Sequence, residues 1–218
     1  MIIFDCNGVL VDSEQLATAV VSQEFIRAGF ALTPDIVARY FTGRRPADMF
    51  AEVETASGRK LPPDFAATVT AATLRRFRAE LRATKHASYA LSWLRGPKCV
   101  ASSSSLDRIR VSLESTDLIR FFEPNLFSAG DVPNGKPAPD LFLHAAGRMR
   151  VQPRRCIVVE DSPVGVAAGV AAGMTVIGFV GGSHAGGHLG NHLRKAGASA
   201  VISDLRALKS TIIDLRGW

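Results

Sequence analysis

The sequence is poor in cysteine, and its few cysteines do not form a metal-binding pattern. Three are present, Cys6, Cys99 and Cys156, an odd number without the spacing of metal ligands. Each lies in or beside an apolar segment, so we expect reduced, buried thiols. Catalysis by a cysteine nucleophile is disfavoured, because a buried thiol in apolar surroundings does not readily form a thiolate.

The sequence also has no long hydrophobic segment, no internal repeat and no low-complexity tract. No apolar run is long enough to span a bilayer, and no charged and then apolar leader precedes a cleavage site. Residues 1–4 already resemble a core strand. We therefore expect a soluble cytoplasmic protein with no membrane partner.

The net charge is +6 and is carried mostly by arginine. Part of it lies in one stretch that contains Arg75, Arg76, Arg78 and Arg82. Such a stretch is typical of the solvated face of a helix, although it would also attract anionic, phosphorylated substrates. No aromatic residues interleave with the basic ones and no known binding motif occurs, so we expect no nucleic-acid partner.

Hydrophobic residues make up 47% of the chain, and many of them lie in short runs between helical stretches. The runs occupy residues 2–4, 99–101, 126–127, 156–159, 175–179 and 200–202. Ser162 followed by Pro163 marks the start of one helix, and Gly173 marks its end. Strands that alternate with helices predict an α/β fold, with a parallel sheet covered by helices on both faces.

The long segment between the first two runs is predicted to be mostly helical. Helices are expected over residues 16–28, 46–56 and 64–81, and a further helix is capped by Thr33 with Pro34 in its first turn. We therefore predict an inserted helical domain over residues 13–85. Residues 1–12 and 86–218 would form the α/β core domain.

Polar residues follow several of the apolar runs at the point where each run ends. Asp5 follows the first run, Ser102 the second, and Glu160 with Asp161 the fourth, while Lys136 lies in a loop between the third and the fourth. Because ligands bind beyond the carboxyl ends of parallel strands, these side chains are expected to converge at one edge of the sheet.

Three carboxylates, a hydroxyl and an ammonium group suit phosphoryl transfer. A carboxylate can attack phosphorus and form an acyl phosphate, but two anions must then approach each other. Mg²⁺ held by the oxygens of Asp5 and Asp161 would reduce that repulsion. Lys136 and Ser102 could bind phosphate oxygens, and Gly8 would let the backbone approach the phosphate closely.

Four segments resemble the motifs of the haloacid dehalogenase-like hydrolases. They are Asp5-Cys6-Asn7-Gly8-Val9-Leu10-Val11-Asp12-Ser13-Glu14, Val100-Ala101-Ser102-Ser103, Gly135-Lys136-Pro137-Ala138-Pro139-Asp140 and Val158-Val159-Glu160-Asp161-Ser162. Their order and spacing agree with the family, and a helical cap follows the first motif. The sequence is most similar to the subgroup of sugar-phosphate phosphatases and β-phosphoglucomutases. The resemblance implies a Rossmann-like body with an inserted α-helical cap domain.

The resemblance also implies a role for each matching residue. Asp5 would be the nucleophile and a ligand of Mg²⁺. The backbone carbonyl of Asn7 and the side chain of Asp161 would be further ligands, and Glu160 would support the metal directly or through water.

The phosphate would be held by Ser102, the amide of Ser103 and Lys136. In this subgroup the cap reads the substrate, and the segment Gly43-Arg44-Arg45-Pro46-Ala47-Asp48 resembles the cap loop that does so. Arg44 and Arg45 could bind a second phosphate or sugar hydroxyls. The alternative is an exposed basic turn before a helix.

One residue departs from the family in a way that affects catalysis. Phosphatases of the family that this sequence resembles have a second aspartate two residues after the nucleophile. That second aspartate protonates the leaving group. Here that position is Asn7, whose amide can form hydrogen bonds but has no proton to exchange at neutral pH. The chain could be a substituted form of an active enzyme, a slow or differently assisted enzyme, or a binding protein that has lost catalysis.

Three further histidines are also of interest. His86 lies where relatives usually have a Pro-Gly-Val turn, and we interpret it as a structural substitution at the point where the cap rejoins the core. His188 and His192 have the i, i+4 spacing of a metal chelate, but no third ligand is evident and the glycines around them favour a surface loop.

The first functional interpretation is a Mg²⁺-dependent phosphatase of small phosphorylated metabolites, above all sugar phosphates. The second is a phosphoryl shuttle similar to β-phosphoglucomutase, which a bisphosphate would activate. The third is a protein that binds phosphate ligands and forms no phosphoenzyme. Because the cap can close the site, we expect a monomer to be sufficient.

Overall fold

Six parallel strands form one sheet in the computed structural model, which describes residues 1–41 and 46–216. Their order across the sheet is β3-β2-β1-β4-β5-β6. The strands are β1 (Ile2–Phe4), β2 (Lys98–Ser102), β3 (Leu126–Ser128), β4 (Ile157–Glu160), β5 (Thr175–Phe179) and β6 (Ala200–Ile202). Each of them contains or overlaps one of the predicted apolar runs, so the predicted α/β fold is confirmed.

Helices lie between these strands along the chain, and one follows the last strand. Five of the helices that the structure describes lie between β1 and β2, and the first four of them are α1 (Glu14–Arg27), α2 (Pro34–Phe41), α3 (Pro46–Ser57) and α4 (Phe65–Glu80). The others described are α5 (Ala87–Trp93), α6 (Leu106–Glu114), α7 (Asp140–Arg148), α8 (Pro163–Ala171), α9 (Leu189–Lys195) and α10 (Leu208–Arg216). No helix in the described ranges combines the length and hydropathy needed to cross a membrane.

The strand order places β1 at the point where the chain changes direction across the sheet. β2 and β3 extend the sheet on one side of β1, and β4, β5 and β6 extend it on the other. Phe4 lies opposite both Val100 and Val159. In open α/β sheets the crevice at such a reversal is where ligands bind, which points to the carboxyl ends of β1 and β4.

Two hydrophobic clusters cover the two faces of the sheet. Alternate residues of a strand point to opposite faces, so Phe4 packs in one cluster and Ile3 in the other. The Phe4 cluster includes Ile109 of α6, and the Ile3 cluster includes Phe142 of α7. This double burial explains why the strands are continuous apolar runs rather than alternating ones.

Local sequence signals fix the ends of helix α8. The hydroxyl of Ser162 accepts a hydrogen bond from the amide of Gly165 at 3.1 Å, and Pro163 occupies the first turn. Gly173 follows the helix with φ at 71°, a left-handed conformation that glycine adopts without steric cost. The predicted start and end of this helix are confirmed.

The inserted helices have a hydrophobic cluster of their own. Its centre is Phe25, which is fully buried and whose ring lies 4.8 Å from that of Phe65. Val21, Val53 and Val69 belong to the same cluster. By contrast, Phe77 near the end of α4 packs in the Phe4 cluster of the sheet. The division into a core domain and a cap over residues 13–85 stays a prediction.

The two segments that connect the insertion to the sheet run side by side. The amide of Asp12 donates to the carbonyl of Arg82 at 3.0 Å, and that of Thr84 donates to the carbonyl of Leu10 at 2.9 Å. His86 follows with φ at 64°. Residues other than glycine uncommonly adopt this left-handed conformation.

Candidate active site

Asp5 lies at the centre of the candidate site, directly after β1. Its amide donates to the carbonyl of Val159 at 3.0 Å, which aligns the end of β1 with the end of β4. Only 6% of the residue is exposed. The position agrees with the prediction that the side chains following the strands converge at one edge.

Lys136 connects two of the three predicted carboxylates. Its Nζ lies 2.6 Å from Oδ1 of Asp5 and 2.6 Å from Oε1 of Glu160, and its side chain is 2% exposed. The same Nζ lies 5.1 Å from the ring centre of Phe142, so the ammonium group also makes a cation–π interaction. Two anions next to this amine keep it charged, so the pKa of Lys136 is raised although burial opposes the charge.

Glu160 is held by different partners on its two oxygens. Oε1 accepts from Lys136, while Oε2 accepts from the amide of Ser162 at 2.7 Å and from its hydroxyl at 2.9 Å. The helix α8 comes so close that a Cβ added to Gly165 would lie 1.8 Å from Oε1. The carboxylate is therefore fixed in one orientation by the start of α8.

The side chain of Asp161 lies against the loop that contains Gly8 and the loop that contains His184. Its Oδ2 lies 2.9 Å from Nε2 of His184, a residue of the loop after β5. A Cβ added to Gly8 would lie 1.9 Å from the same oxygen, and φ of Gly8 is 74°. The described side chains next to Gly8 are thus those of Asp161 and His184, and this close packing requires glycine.

Ser102 and Ser104 form a buried turn at the end of β2. The hydroxyl of Ser102 accepts from the amide of Ser104 at 3.3 Å. Ser104 in turn accepts from Nδ2 of Asn7 at 2.8 Å, and Oδ1 of Asn7 accepts from the hydroxyl of Ser13 at 3.1 Å. The amide group of Asn7 is therefore held between two serines, and it lies beside the same cavity as Asp5.

The electrostatics of the cluster are dominated by uncompensated negative charge. Asp5, Glu160 and Asp161 offer oxygens within 4.8 Å of one another, the one such group of metal-ligand type found in the part of the chain that the structure describes. Burial, only partly offset by Lys136, raises the pKa of Asp5 well above its usual value. Burial also raises the pKa of Asp161 to about 7, with His184 opposing and Glu160 reinforcing the shift.

A cavity connects this cluster with the inserted helices. Its walls include the carboxylates, Ser102, Ser103 and Lys136 on one side, and Thr18, Val21, Val37 and Met49 from the insertion on the other. Ser103 is half-buried there. Arg44 and Arg45, for which the sequence left open substrate binding or an exposed basic turn, lie outside the described residues. His188 and His192 do not belong to the metal-ligand group.

Four residues of this site were not predicted from the sequence. Ser13 and Ser104 hold the amide of Asn7, His184 contacts Asp161, and Arg108 lines the cavity. His184 lies in the loop that follows β5, but Val180 and not His184 directly follows the strand, so the rule on strand ends points to this loop without identifying the histidine. The partners of Asn7 carry no such signal, because Ser104 is 97 positions away along the chain.

Comparisons with known proteins agree with this arrangement. The sequence matches the family model of the haloacid dehalogenase-like hydrolases over residues 1–173. It is 34% identical over 165 residues to the 6-phosphogluconate phosphatase of Escherichia coli, which covers 75% of each chain. The chain belongs to the haloacid dehalogenase-like hydrolase family. The predicted enzyme class, phosphoric monoester hydrolase, is confirmed as well.

Solved structures are similar along nearly the whole chain. A haloacid dehalogenase-like protein of unknown function from Agrobacterium tumefaciens is 35% identical, with a TM-score of 0.83, and the match covers 99% of this chain and 98% of that one. A family hydrolase from Deinococcus radiodurans, solved with bound phosphate and sodium, is 30% identical with a TM-score of 0.75. That match covers 98% of this chain and 94% of the other.

Proposed function

We propose that this enzyme is a Mg²⁺-dependent phosphatase of small phosphorylated metabolites, sugar phosphates above all, and that Asp5 carries the phosphoryl group during the reaction. The observation that carries the proposal is the contact of Lys136 with both Asp5 and Glu160, at 2.6 Å each, within a buried group of three carboxylates. The 6-phosphogluconate phosphatase relative and the phosphate bound to the Deinococcus structure support it.

The residues of the site divide the reaction between them. An oxygen of Asp5 attacks phosphorus, the ester bond breaks, and the phosphoryl group is transferred to the carboxylate. Lys136 and the hydroxyl of Ser102 neutralise or hydrogen-bond the phosphate oxygens, together with the amide of Ser103. Water then attacks the acyl phosphate, which releases phosphate and restores Asp5.

The acidic group fits a hard divalent cation. Three buried carboxylates with one lysine leave excess negative charge. Burial raises the pKa values of Asp5 and Asp161, and repulsion from the neighbouring carboxylates reinforces the shift. Asp5, Asp161 and the backbone carbonyl of Asn7 would hold Mg²⁺, with Glu160 in support. When bound, Mg²⁺ would reduce the repulsion between the phosphate dianion and the attacking carboxylate.

Asn7 limits the rate rather than the binding of substrate. Its amide is held by Ser13 and Ser104, so it can still form hydrogen bonds in the cavity. It cannot give a proton to the leaving oxygen or take one from water. A sugar alkoxide leaves poorly without a proton, whereas an aryl oxide leaves readily, so the deficit is larger for sugar phosphates.

The test is a paired assay of this chain and its Asn7→Asp variant, with Mg²⁺, a panel of sugar phosphates and one aryl phosphate. We expect the variant to gain about 10²–10⁴-fold in kcat on sugar phosphates and less on the aryl ester. The Asp5→Asn variant is the control and should be inactive on both.

The other two interpretations predict different outcomes. Turnover that requires an added bisphosphate would favour a mutase, since a mutase needs a phosphoenzyme that outlives substrate exchange. If neither protein turns over any ester although both bind phosphate ligands, the proposed activity is wrong and the binding protein is favoured. A monomeric state and a cytoplasmic location stay predictions.

A further inference from the structure

We infer that Arg108 binds a carboxylate at the far end of the substrate, so that the enzyme prefers phosphate esters of sugar acids to those of neutral sugars. The inference rests on the proposed function, because it concerns the leaving group of the same reaction. It is carried by an arginine in the wall of the cavity whose guanidinium has no hydrogen-bonding or ionic partner among the described residues.

Arg108 lacks the partners that a shielded arginine usually has. Its guanidinium makes no hydrogen bond or ion pair within the described ranges, and its Nε is shielded from solvent without a hydrogen-bond partner. Shielded charges in proteins are normally paired, because leaving them unpaired costs free energy. An arginine left in this state next to a cavity is therefore available to a ligand.

The position of Arg108 is fixed from two sides. It lies in the first turn of α6, where its amide donates to the hydroxyl of Ser105 at 3.4 Å. The Cζ atom of its guanidinium lies 4.9 Å from the ring centre of Phe77, on the inserted helix α4. A guanidinium stacked on an aromatic face keeps its N–H groups in one plane, which suits a carboxylate.

The other positive charge described in the wall of this cavity is that of Lys136, which lies next to the nucleophile. Lys136 is bound to Asp5 and Glu160, which leaves it to the phosphoryl group. Burial lowers the pKa of Arg108, and the charge of Glu14, which also lines the cavity, opposes that shift without forming an ion pair. Since Lys136 serves the phosphoryl group, a second anionic group of the substrate would be attracted to Arg108.

Two phosphate esters that differ only at the far end provide the test. Sorbitol 6-phosphate ends in a hydroxymethyl group, and 6-phosphogluconate ends in a carboxylate on the same open chain of carbon atoms. We expect Arg108→Gln to lower kcat/KM for 6-phosphogluconate by about 10- to 100-fold, the usual effect of a lost charged hydrogen bond. The value for sorbitol 6-phosphate should change much less, because its hydroxymethyl group carries no charge for the guanidinium to bind.

Two further variants control the interpretation. Arg108→Lys keeps the charge and should recover part of the preference. Arg110→Gln removes a neighbouring arginine of the same helix that pairs with Glu123, and should leave both esters unchanged. Thermal unfolding shows whether each variant is folded.

An equal loss on both esters, or no loss on either, would overturn the inference. A larger effect of Arg108→Gln on fructose 1,6-bisphosphate than on 6-phosphogluconate would also overturn it, because the second group would then be a phosphate. If wild type turns over no ester, the proposed function fails. Equilibrium binding of the two esters to wild type and Arg108→Gln then still decides whether Arg108 recognises the carboxylate.

Discussion

Gly8 has a left-handed backbone conformation, and the carboxylate of Asp161 occupies the space that a side chain at this position would need. Its φ is 74°, and an added Cβ would lie 1.9 Å from Oδ2 of Asp161. Gly173 has nearly the same φ, 71°, but nothing lies within 4 Å of its added Cβ. The pair therefore separates the effect of backbone strain from the effect of crowding.

We predict that Gly8→Ala destabilises the protein more than Gly173→Ala does. Gly173→Ala should cost about 1–2 kcal/mol in the free energy of unfolding, from the left-handed conformation alone. Gly8→Ala should cost more and should also weaken Mg²⁺ binding, because Asp161 must move. Urea unfolding and a Mg²⁺ titration measure both effects. Equal costs with unchanged Mg²⁺ affinity would contradict this explanation of Gly8.

Asp161 makes the stability of the protein depend on pH and on Mg²⁺ together. In the folded protein burial raises its pKa to about 7 from the usual value of 3.8. Between these values the folded state binds a proton that the unfolded chain has lost. With a chelator present, this group therefore makes stability fall as pH rises from about 4 to about 7.

Magnesium should reverse the trend because it competes with that proton. We predict that the rise in Tm on adding Mg²⁺ grows from about pH 6 to about pH 8. The variant Asp161→Asn should lose this pH dependence. A Mg²⁺-induced shift that is the same across that range would show that Asp161 does not bind the ion as a carboxylate.

The sequence could predict the charged residues of the site but not all of their contacts. Asp5, Glu160 and Asp161 are placed by strand ends, and the acidic cluster follows from them. The contacts of Asn7 with Ser13 and Ser104 depend on how two loops pack, which no local pattern encodes. Arg108 was missed for the same reason: only the packing of α6 against α4 brings it to the cavity.

At the scale of secondary structure, helix α8 positions the site through its first turn. Ser162 caps the helix and also donates to Glu160, so one hydroxyl serves both the helix and the acidic cluster. Ser105 caps α6 in a similar way, but its hydrogen bond from the amide of Arg108 is 3.4 Å long, and its hydroxyl contacts no carboxylate among the described residues.

We predict that Ser162→Ala and Ser105→Ala both destabilise the protein, each by about 0.5–2 kcal/mol, the usual cost of a lost helix cap. Only Ser162→Ala should also lower Mg²⁺ affinity, because Oε2 of Glu160 loses a hydrogen bond. Chemical unfolding and calorimetric Mg²⁺ titration test the two parts separately. Unchanged Mg²⁺ affinity in Ser162→Ala would mean that the cap does not orient Glu160 for the metal.

At the scale of the whole molecule, the sheet was predictable because its strands are buried on both faces. Apolar runs such as 2–4 and 175–179 coincide with β1 and β5 in full. The order of the strands was not predicted, since it depends on which side of β1 each crossover passes. That order places β1 between β2 and β4, and therefore places Asp5 beside Glu160.

The separate cluster around Phe25 suggests that the insertion can open without the sheet. We predict that Phe25→Ala costs about 3–5 kcal/mol in local stability and speeds hydrogen exchange in α1 to α4, while β1 to β5 stay protected. Phe122→Ala is the matched control, because Phe122 packs edge-on against Phe4 at 5.8 Å in the sheet cluster. It should speed exchange throughout the sheet. Equal acceleration in both parts by Phe25→Ala would argue against a separate cap.

The central claim is that Asp5 becomes phosphorylated, and intact-protein mass spectrometry tests it most directly. An aryl phosphate needs no proton for its leaving group, whereas Asn7 cannot activate water for the second step, so the phosphoenzyme should accumulate. With Mg²⁺ and an aryl phosphate, we predict the added mass of one phosphoryl group on this chain and none on Asp5→Asn. Hydrolysis of the ester at the same rate by both proteins, with no added mass on either, would contradict the account.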